Sequence, residues 1–369
     1  MSQISPKKVL HVVGARPNFM KVAPLMRAMA ARDGRFEQRL VHTGQHYDEA
    51  MSQVFFDELG IAPPDDNLEV GSGSHAAQTA EIMLRFEPVL LAFRPDWLVV
   101  VGDVNSTMAA TLVAAKLGVK TAHVEAGLRS FDRGMPEEIN RLVTDALAEL
   151  LLTPSPDADE NLRREGVPEA RIRQVGNVMI DTLAANLERA RARQAPHRFG
   201  VAPRRYVYVT LHRPSNVDER DSLAAIVACL LDVSRRAPVV FPVHPRTRQR
   251  LSDFGLLDVL SGAEGVKLVE PVGYLDSIGL TDAAACVLTD SGGLQEETTY
   301  LRVPCLTLRA NTERPVTISQ GSNRLTTLAH LREDLGEAMK RRESGEALPC
   351  PALWDGKASE RIADALFEL

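Results

Sequence analysis

Short, almost continuously apolar segments alternate with helical patterns along the whole 369-residue chain. A strand that is apolar on both faces must be covered on both faces, which is the situation of a parallel sheet packed between helices. The clearest example is the strand "DWLVVVGD" at 96–103, followed by the helical segment "STMAATLVAAKLG". The alternation therefore predicts an α/β fold built on parallel sheets.

The alternation restarts near Val175, and the chain is longer than one ordinary hydrophobic core requires. We predict two doubly wound, Rossmann-like domains, at 1–175 and 176–354. The final helix, "ASERIADALFEL", could pack on either of them. The predicted strands are "VLHVVG", "FEQRLVHTG", "DWLVVVGD", "VKTAHVEAG", "LLLTPS" and "RIRQVGN" in the first domain, and "YVYVTLH", "PVVFPVH", "VKLVEP", "ACVLTD" and "PCLTLR" in the second.

Composition excludes several classes of partner. The formal net charge of -6 gives no reason to expect nucleic acid or an anionic membrane. The four cysteines are scattered without CxxC spacing, which argues against a disulfide framework and against a zinc site. No apolar run approaches the ~20 residues of a membrane span. We expect a cytoplasmic protein, and any anion that it binds must be held by a local site.

Ligands of open α/β sheets bind beyond the carboxyl ends of the strands. At one such end, in "LTDSGGLQEETTYL", Ser291, Gly292 and Gly293 fall between a strand and a helix. Backbone N–H groups at a helix start favour an anion, and glycines let a phosphate approach closely. The structural alternative is a serine N-cap with glycines in a tight turn.

Two glutamates follow these glycines. In a first helical turn Glu296 would simply favour the helix dipole. Because a bound phosphate would repel carboxylates, at least one glutamate should face a neutral group. A ribose diol suits this requirement, since a carboxylate can accept two hydroxyl hydrogen bonds. We assign that contact to Glu297, which makes the ligand a nucleotide.

Cationic side chains follow the first strand of each predicted domain. "GARPNFMK" is not GxGxxG, which argues against a dinucleotide cofactor. Arg16 and Lys21 could together bind a diphosphate, although charges at a helix start are often only solvated. His212 and Arg213 end the first strand of the second domain and could meet a phosphate, whereas a lone histidine is often structural.

Carboxylates gather at the strand ends of the first domain. Asp103 and Glu125 end successive strands, which are often neighbours, and Glu137 and Glu138 open the helix in "MPEEINR". The structural alternative is an acid-rich helix start. Several carboxylates around one crevice are also what general acid–base chemistry on a sugar needs.

Together these motifs resemble those of the non-hydrolysing UDP-N-acetylglucosamine 2-epimerases, and they occur in family order from about residue 9 to 325. The motifs that carry the resemblance are "GARPNFMKVAPL", "TGQHYD", "GDVNST", "HVEAGLRS", "MPEEINR", "VGNVMIDTL", "LHRPSNVD", "PVHPRT", "DSGGLQEE" and "NTERP".

The resemblance implies a glycosyltransferase-B architecture, with two Rossmann-like domains facing a central cleft and a final helix, about 355–369, packed on the first domain. It implies interconversion of UDP-GlcNAc and UDP-ManNAc for bacterial surface polysaccharide, without cofactor or metal, by a homodimer. UDP would leave C1 as the C2 proton is removed, giving a glycal, and then add back. The catalytic positions implied are Arg16, Lys21, Asp103, Glu125, Glu137 and His212. The positions implied for UDP are Arg16, Lys21, His212, Arg213, Ser291, Gly292, Gly293, Glu297 and Arg314.

Two departures from the family motifs leave the identity of the substrate sugar undecided. His212-Arg213-Pro214-Ser215-Asn216 replaces the His-Arg-Arg-Glu-Asn of many members, and the segment between Arg129 and Pro136 is shorter than in some. Both resemble the branch that includes epimerases for UDP-2,3-diacetamido-glucuronic acid. The same motifs are also compatible with a hydrolysing epimerase, a retaining glycosyltransferase or a UDP-sugar-binding protein without activity.

Some bacterial members are activated by their own substrate at a second site. Gln45 and His244 match that site, but Asp48 replaces a second glutamine, and no arginine occurs from Gly71 to Thr79. An aspartate would repel an anionic effector, and the missing arginine removes a strong phosphate partner. We expect that the reverse reaction needs no effector, unless a cation such as Arg246 takes over.

Overall fold

The computed structural model describes residues 5–44 and 63–369. The chain forms two compact domains: the N-terminal domain comprises Met1–Thr182 and Ala352–Leu369, and the C-terminal domain comprises Leu183–Pro351. No helix in the described ranges is long and apolar enough to cross a membrane.

The N-terminal domain is built on a seven-stranded sheet in the order β3-β2-β1-β4-β5-β6-β7. All of its paired strands run parallel. The order reverses between β1 and β4, which makes their carboxyl ends the expected ligand crevice of a doubly wound sheet. The strands are β1 Lys7–Val13, β2 Phe36–His42, β3 Asp66–Asn67, β4 Trp97–Val101, β5 Lys120–Val124, β6 Leu150–Thr153 and β7 Ile172–Gln174.

The C-terminal domain repeats this topology with six parallel strands in the order β10-β9-β8-β11-β12-β13. Its order reverses between β8 and β11, so the segments after these two strands line the corresponding crevice. The strands are β8 Val207–Thr210, β9 Val239–Pro242, β10 Val266–Val269, β11 Cys286–Thr289, β12 Cys305–Leu308 and β13 Asn323–Thr326.

Helices connect nearly all successive strands. The described α-helices are α1 Arg16–Ala30, α2 His75–Phe93, α3 Asn105–Leu117, α4 Pro136–Leu147, α5 Pro156–Arg164, α6 Val178–Ala192, α7 Ala195–Arg198, α8 Pro214–Val217, α9 Arg220–Ser234, α10 Pro245–Asp253, α11 Leu257–Ser261, α12 Tyr274–Asp282, α13 Gly292–Leu301, α14 Val316–Ser319, α15 Leu331–Glu343 and α16 Ala358–Glu368.

Alternate residues of each strand face opposite sides of its sheet, and both sides are covered. Val9 of β1 packs in a core with α1 and α16, including Ile362, whereas Leu10 packs in a second core with α2 and α3. The C-terminal domain is covered in the same way: Val209 faces a core with α9 and α15, and Tyr208 faces one with Leu280 of α12. The predicted pair of doubly wound α/β domains is confirmed.

Two strands have no counterpart in the sequence prediction. β3 consists of Asp66–Asn67, and β13 reads Asn-Arg-Leu-Thr. Each lies at an edge of its sheet, where a strand needs no apolar run because it is less enclosed. Their omission does not move the two crevices, which lie at the centres of the sheets.

Candidate active site

Lys21 and Glu125 form a nearly buried ion pair at the crevice of the N-terminal domain. Lys21 Nζ contacts Glu125 Oε2, and the two side chains are only 11% and 3% exposed. Glu125 follows β5 with φ at +72°, a left-handed conformation that is uncommon for a residue with a side chain and is often found at functional sites. The sequence prediction named both residues, and the fold brings them together.

Gly102, at the end of β4, allows this pair to form. Its φ is +68°, and a Cβ atom there would lie 2.9 Å from Lys21 Nζ and 3.5 Å from Glu125 Oε2. Asn18, which sequence reasoning missed, joins the same region to β1: its Oδ1 accepts the N–H of Ala15 (3.0 Å) and its Nδ2 donates to the carbonyl of Val101 (3.1 Å). Asn18 therefore links the end of β1 to the end of β4.

Asp103 follows Gly102 and is oriented by α4. Arg141 donates from Nε (3.0 Å) and Nη2 (2.5 Å) to Asp103 Oδ2, and Asn140 Nδ2 donates to the Asp103 carbonyl (2.9 Å). The Asp103 side chain remains 31% exposed, whereas that of Arg141 is only 6% exposed. Asp103 is thus a fixed carboxylate that a ligand can reach.

The two glutamates that open α4 have different surroundings. Glu138 is buried and accepts hydrogen bonds from the Ser130 N–H (2.9 Å), the Phe131 N–H (3.0 Å) and Arg141 Nη1 (2.7 Å). Burial alone would raise the pKa of Glu138, but these donors hold it below its usual value. Glu138 therefore anchors the loop after β5, and Glu137, which is less enclosed, is the member of the pair that can meet a ligand.

Three predicted positions cannot be placed by their contacts. Arg16 begins α1 at the crevice, directly after β1, but its side chain lies outside the described part of the structure. Gln45 and Asp48 also lie outside the described residues. The roles assigned to these positions stay predictions.

In the C-terminal domain, His212 is held by Asp290, which sequence reasoning missed. His212 Nδ1 lies 3.0 Å from Asp290 Oδ1, and the fully buried carboxylate also accepts the N–H groups of His212 and Arg213 and the amide of Asn216. Burial would raise the pKa of Asp290, but these donors lower it. Asp290 thus places the proton on Nδ1 and leaves Nε2 of the half-exposed ring to contact a ligand.

The start of α13 has the features of an anion site. Ser291 occupies the N-cap position, yet among described residues its side chain forms no capping hydrogen bond, so the first helical N–H groups are left for another acceptor. A Cβ on Gly292 would lie 2.7 Å from Arg314 Nη1. The predicted residues Ser291, Gly292, Gly293 and Arg314 therefore lie together.

Further cations surround this helix start. Arg314 donates to Glu296 Oε1 (2.8 Å) and to Glu313 Oε1 (2.6 Å). Burial lowers the pKa of Arg213, and the nearby charge of Arg309 lowers it further. Arg213, Arg309 and Arg314 lie near carboxylates. Their positive charges are also close enough to one another to attract an anion.

Glu296 and Glu297 lie in the second turn of α13, because the helix begins at Gly292. The helix-dipole interpretation of Glu296 is therefore wrong, and Glu296 serves instead as the partner of Arg314. Glu297 is 7% exposed, and burial together with the charge of Glu296 raises its pKa to about 8. A buried carboxyl with such a pKa is a common mark of a functional position.

His244 lies beside His212, with ring centroids 5.7 Å apart. Its Nδ1 accepts the N–H of Arg246 at the start of α10 (3.2 Å). The Arg246 guanidinium donates from Nε to Asp218 (3.0 Å), which reduces its ability to bind an effector phosphate.

Within the described ranges no group of three or more His, Cys, Asp or Glu residues could hold a metal ion.

Comparison with known proteins supplies the family. A family model described as UDP-N-acetylglucosamine 2-epimerase matches residues 28–367. The chain belongs to the UDP-N-acetylglucosamine 2-epimerase family. The resemblance found in the sequence is thereby confirmed, and the protein is an enzyme of an isomerase family.

Three relatives of this family member are informative. The UDP-N-acetylglucosamine 2-epimerase of Methanococcus maripaludis is 42% identical over 321 residues, covering 86% of this chain and 87% of the relative. The UDP-2,3-diacetamido-2,3-dideoxy-D-glucuronate 2-epimerase of Pseudomonas aeruginosa is 38% identical and covers 98% and 100%. A crystal structure of the Methanocaldococcus jannaschii UDP-GlcNAc 2-epimerase, in complex with UDP-GlcNAc and UDP, has a TM-score of 0.84 at 41% identity and covers 98% and 100%.

Proposed function

We propose that this protein inverts C2 of a UDP-2-acetamido sugar, converting UDP-GlcNAc to UDP-ManNAc without hydrolysis. The observation that carries the proposal is the arrangement around Gly102, where the Lys21–Glu125 pair and Asp103 lie at the ends of the neighbouring strands β4 and β5. General acid–base chemistry at a carbon needs carboxylates fixed in this way.

The C2 proton is weakly acidic, so its removal is coupled to departure of UDP from C1. Asp103, Glu125 and Glu137 supply the base that removes this proton, the acid that returns one on the opposite face and the negative charge that stabilises an oxocarbenium-like transition state. Lys21 pairs with Glu125 and Arg141 pairs with Asp103, and these contacts fix the two carboxylates in place.

UDP must stay bound after its bond to C1 breaks. The N–H groups at the start of α13, with Arg213, Arg314 and the Nε2 of His212, hold the diphosphate. Glu297 accepts the ribose hydroxyls. No cofactor is required, because departure of UDP forms the double bond of the glycal and re-addition of UDP removes it.

A second substrate is favoured by one observation. The Pseudomonas aeruginosa relative that acts on UDP-2,3-diacetamido-2,3-dideoxy-D-glucuronate matches this chain along 98% of its length. The same carboxylates would serve this substrate, because the reaction at C2 is unchanged and only the C3 and C6 groups differ.

Acceptor-free incubation separates the candidates. Purified protein is incubated with UDP-GlcNAc, or with UDP-2,3-diacetamido-glucuronic acid, and the products are identified by NMR. The proposal expects the 2-epimer of the first sugar with its UDP still attached. Conversion of the second sugar alone would move the assignment to the diacetamido branch. Free UDP with ManNAc would show a hydrolysing enzyme, and turnover only with an added acceptor would show a glycosyltransferase.

We also infer a cytoplasmic homodimer that serves surface-polysaccharide synthesis, which the sequence resemblance supports. Light scattering coupled to size-exclusion chromatography tests the oligomeric state directly. A mass near twice the monomer's 40.4 kDa is expected, and a monomer at all concentrations would contradict the inference.

A further inference from the structure

The motif "HVEAGLRS" contains two basic residues that the proposed chemistry does not use. His123 and Arg129 are both buried, and both contact Asp145 of α4, which is also buried. His123 Nδ1 lies 2.6 Å from Asp145 Oδ1, and Arg129 Nη1 lies 2.7 Å from Asp145 Oδ2. Arg129 also donates to Glu165 from Nε and Nη2, at 2.7 and 2.6 Å. Two basic side chains and two carboxylates thus form one network.

His123 faces hydrogen-bond acceptors on both sides of its ring. Its Nε2 lies 2.8 Å from the carbonyl oxygen of Gly102, which can only accept, and its Nδ1 faces Asp145. A neutral imidazole carries a single N–H, so both contacts are satisfied only if the ring is doubly protonated or if Asp145 is protonated. Asp145 Oδ2 faces the Arg129 guanidinium (2.7 Å) and accepts the N–H of Gly127 (3.0 Å), two donors that favour the ionised carboxylate. The arrangement therefore favours imidazolium and carboxylate.

This network holds both strand ends that carry the catalytic carboxylates. Through His123 it fixes the carbonyl of Gly102, the residue before Asp103. Through Asp145 Oδ2, which accepts the N–H of Gly127 at 3.0 Å, it fixes the turn that follows Glu125. A shift of either end would change the distance between the two carboxylates.

We propose that His123 is a positioning residue, a buried imidazolium that joins Asp145 to the Gly102 carbonyl and thereby sets the geometry of Asp103 and Glu125. The inference rests on the proposed function, because only acid–base work at C2 makes that geometry matter. His123 is fully buried, so it acts on the reaction only through the strand ends.

Its protonation is tested by NMR of protein labelled with 15N-histidine, with the His123 signals assigned by their loss in His123→Gln. Both ring nitrogens of His123 should carry protons at neutral pH, and Asp145→Asn should leave only one of them protonated. His11 is the internal contrast, since it is equally buried, contacts the neutral Gln38 (3.0 Å), and has a pKa lowered by burial to about 4. A singly protonated His123 in the wild type would overturn the proposal, whether or not any variant folds.

Kinetics test the positioning role, with His11→Gln as the matched control. His123→Gln should lower kcat by about 100-fold, the usual effect of a small misplacement of reacting groups. KM and the UDP dissociation constant should be essentially unchanged, because the nucleotide is held by other residues. The control should keep wild-type kcat. A folded His123→Gln enzyme with wild-type kcat would refute the positioning role, whereas a wild type that epimerises neither UDP-sugar would refute the proposed function and leave the NMR result standing.

Discussion

Replacing Glu297 by glutamine should remove most of the pH dependence of folding stability that arises in the first two turns of α13. Burial and the charge of Glu296 raise the pKa of Glu297 from its ordinary 4.5 to about 8. A carboxyl with a raised pKa binds its proton more tightly in the folded state. Its contribution to stability is fully present below pH 4.5 and is lost as the pH rises through 8.

The magnitude follows from this difference in pKa. At about 1.4 kcal/mol for each pKa unit, the complete loss is near 5 kcal/mol. Between about pH 5.5 and 7.5 the wild type should lose roughly half of this, which Glu297→Gln should not lose. For a domain of this size, that free energy corresponds to roughly 5–10 °C in Tm.

Differential scanning calorimetry of both proteins at the two pH values measures the effect. Glu343→Gln is the matched control, because it removes a carboxyl from the surface of the same domain. The Tm of wild type and of the control should fall by several degrees more than that of Glu297→Gln. Parallel pH profiles for all three proteins would refute the raised pKa.

The same carboxyl links UDP binding to protons. If the ionised form accepts the ribose hydroxyls, binding at neutral pH must release a proton, and UDP affinity should increase as the pH rises towards the Glu297 pKa of about 8. Calorimetric titrations in two buffers of different ionisation enthalpy measure this release. Glu297→Gln should bind UDP more weakly and without proton release, and unchanged affinity would exclude the ribose contact.

Further predictions concern the other parts of the site. Glu125→Gln and Asp103→Asn should each lower turnover by roughly 10²–10⁴-fold while UDP still binds, and near-normal kcat in both would remove these carboxylates from the mechanism. Gly292→Ala should weaken UDP binding, because the new methyl group would displace the Arg314 guanidinium, whose Nη1 would lie 2.7 Å away; Gly336→Ala, where no atom lies within 4 Å, is its control, and equal effects would contradict this reason. Epimerisation of UDP-ManNAc alone should begin without a lag, and a strict requirement for trace UDP-GlcNAc would show that an effector site including Gln45 survives.

The fold could be predicted from sequence where apolar strands are enclosed. β4 lies inside the first sheet and is apolar along its whole length, and β5 pairs with it in parallel, so their ends, and with them Asp103 and Glu125, could be located. The edge strands β3 and β13 could not be found, because β3 consists only of Asp66–Asn67 and β13 reads Asn-Arg-Leu-Thr, so neither carries an apolar signal. Sequence therefore indicated the crevices but not the full width of the sheets.

The partners of the site residues were harder to predict, because they are distant in the chain. Arg141 is 38 residues from Asp103 and Asp290 is 78 residues from His212, and no local pattern pairs them. The exact start of a helix is also hard to predict from the sequence. With α13 beginning at Gly292 rather than after the glycines, Glu296 leaves the first turn and becomes an ion-pair partner.

Epimerisation of UDP-GlcNAc in D2O, followed by NMR, tests C2 proton exchange most directly. Because the proton removed from C2 is replaced from solvent on the opposite face, UDP-ManNAc should appear with deuterium at C2. The UDP-GlcNAc pool should then gain deuterium at the same carbon as the reaction reverses. Formation of UDP-ManNAc that retains its original C2 hydrogen, or no exchange into either sugar by active protein, would contradict the mechanism.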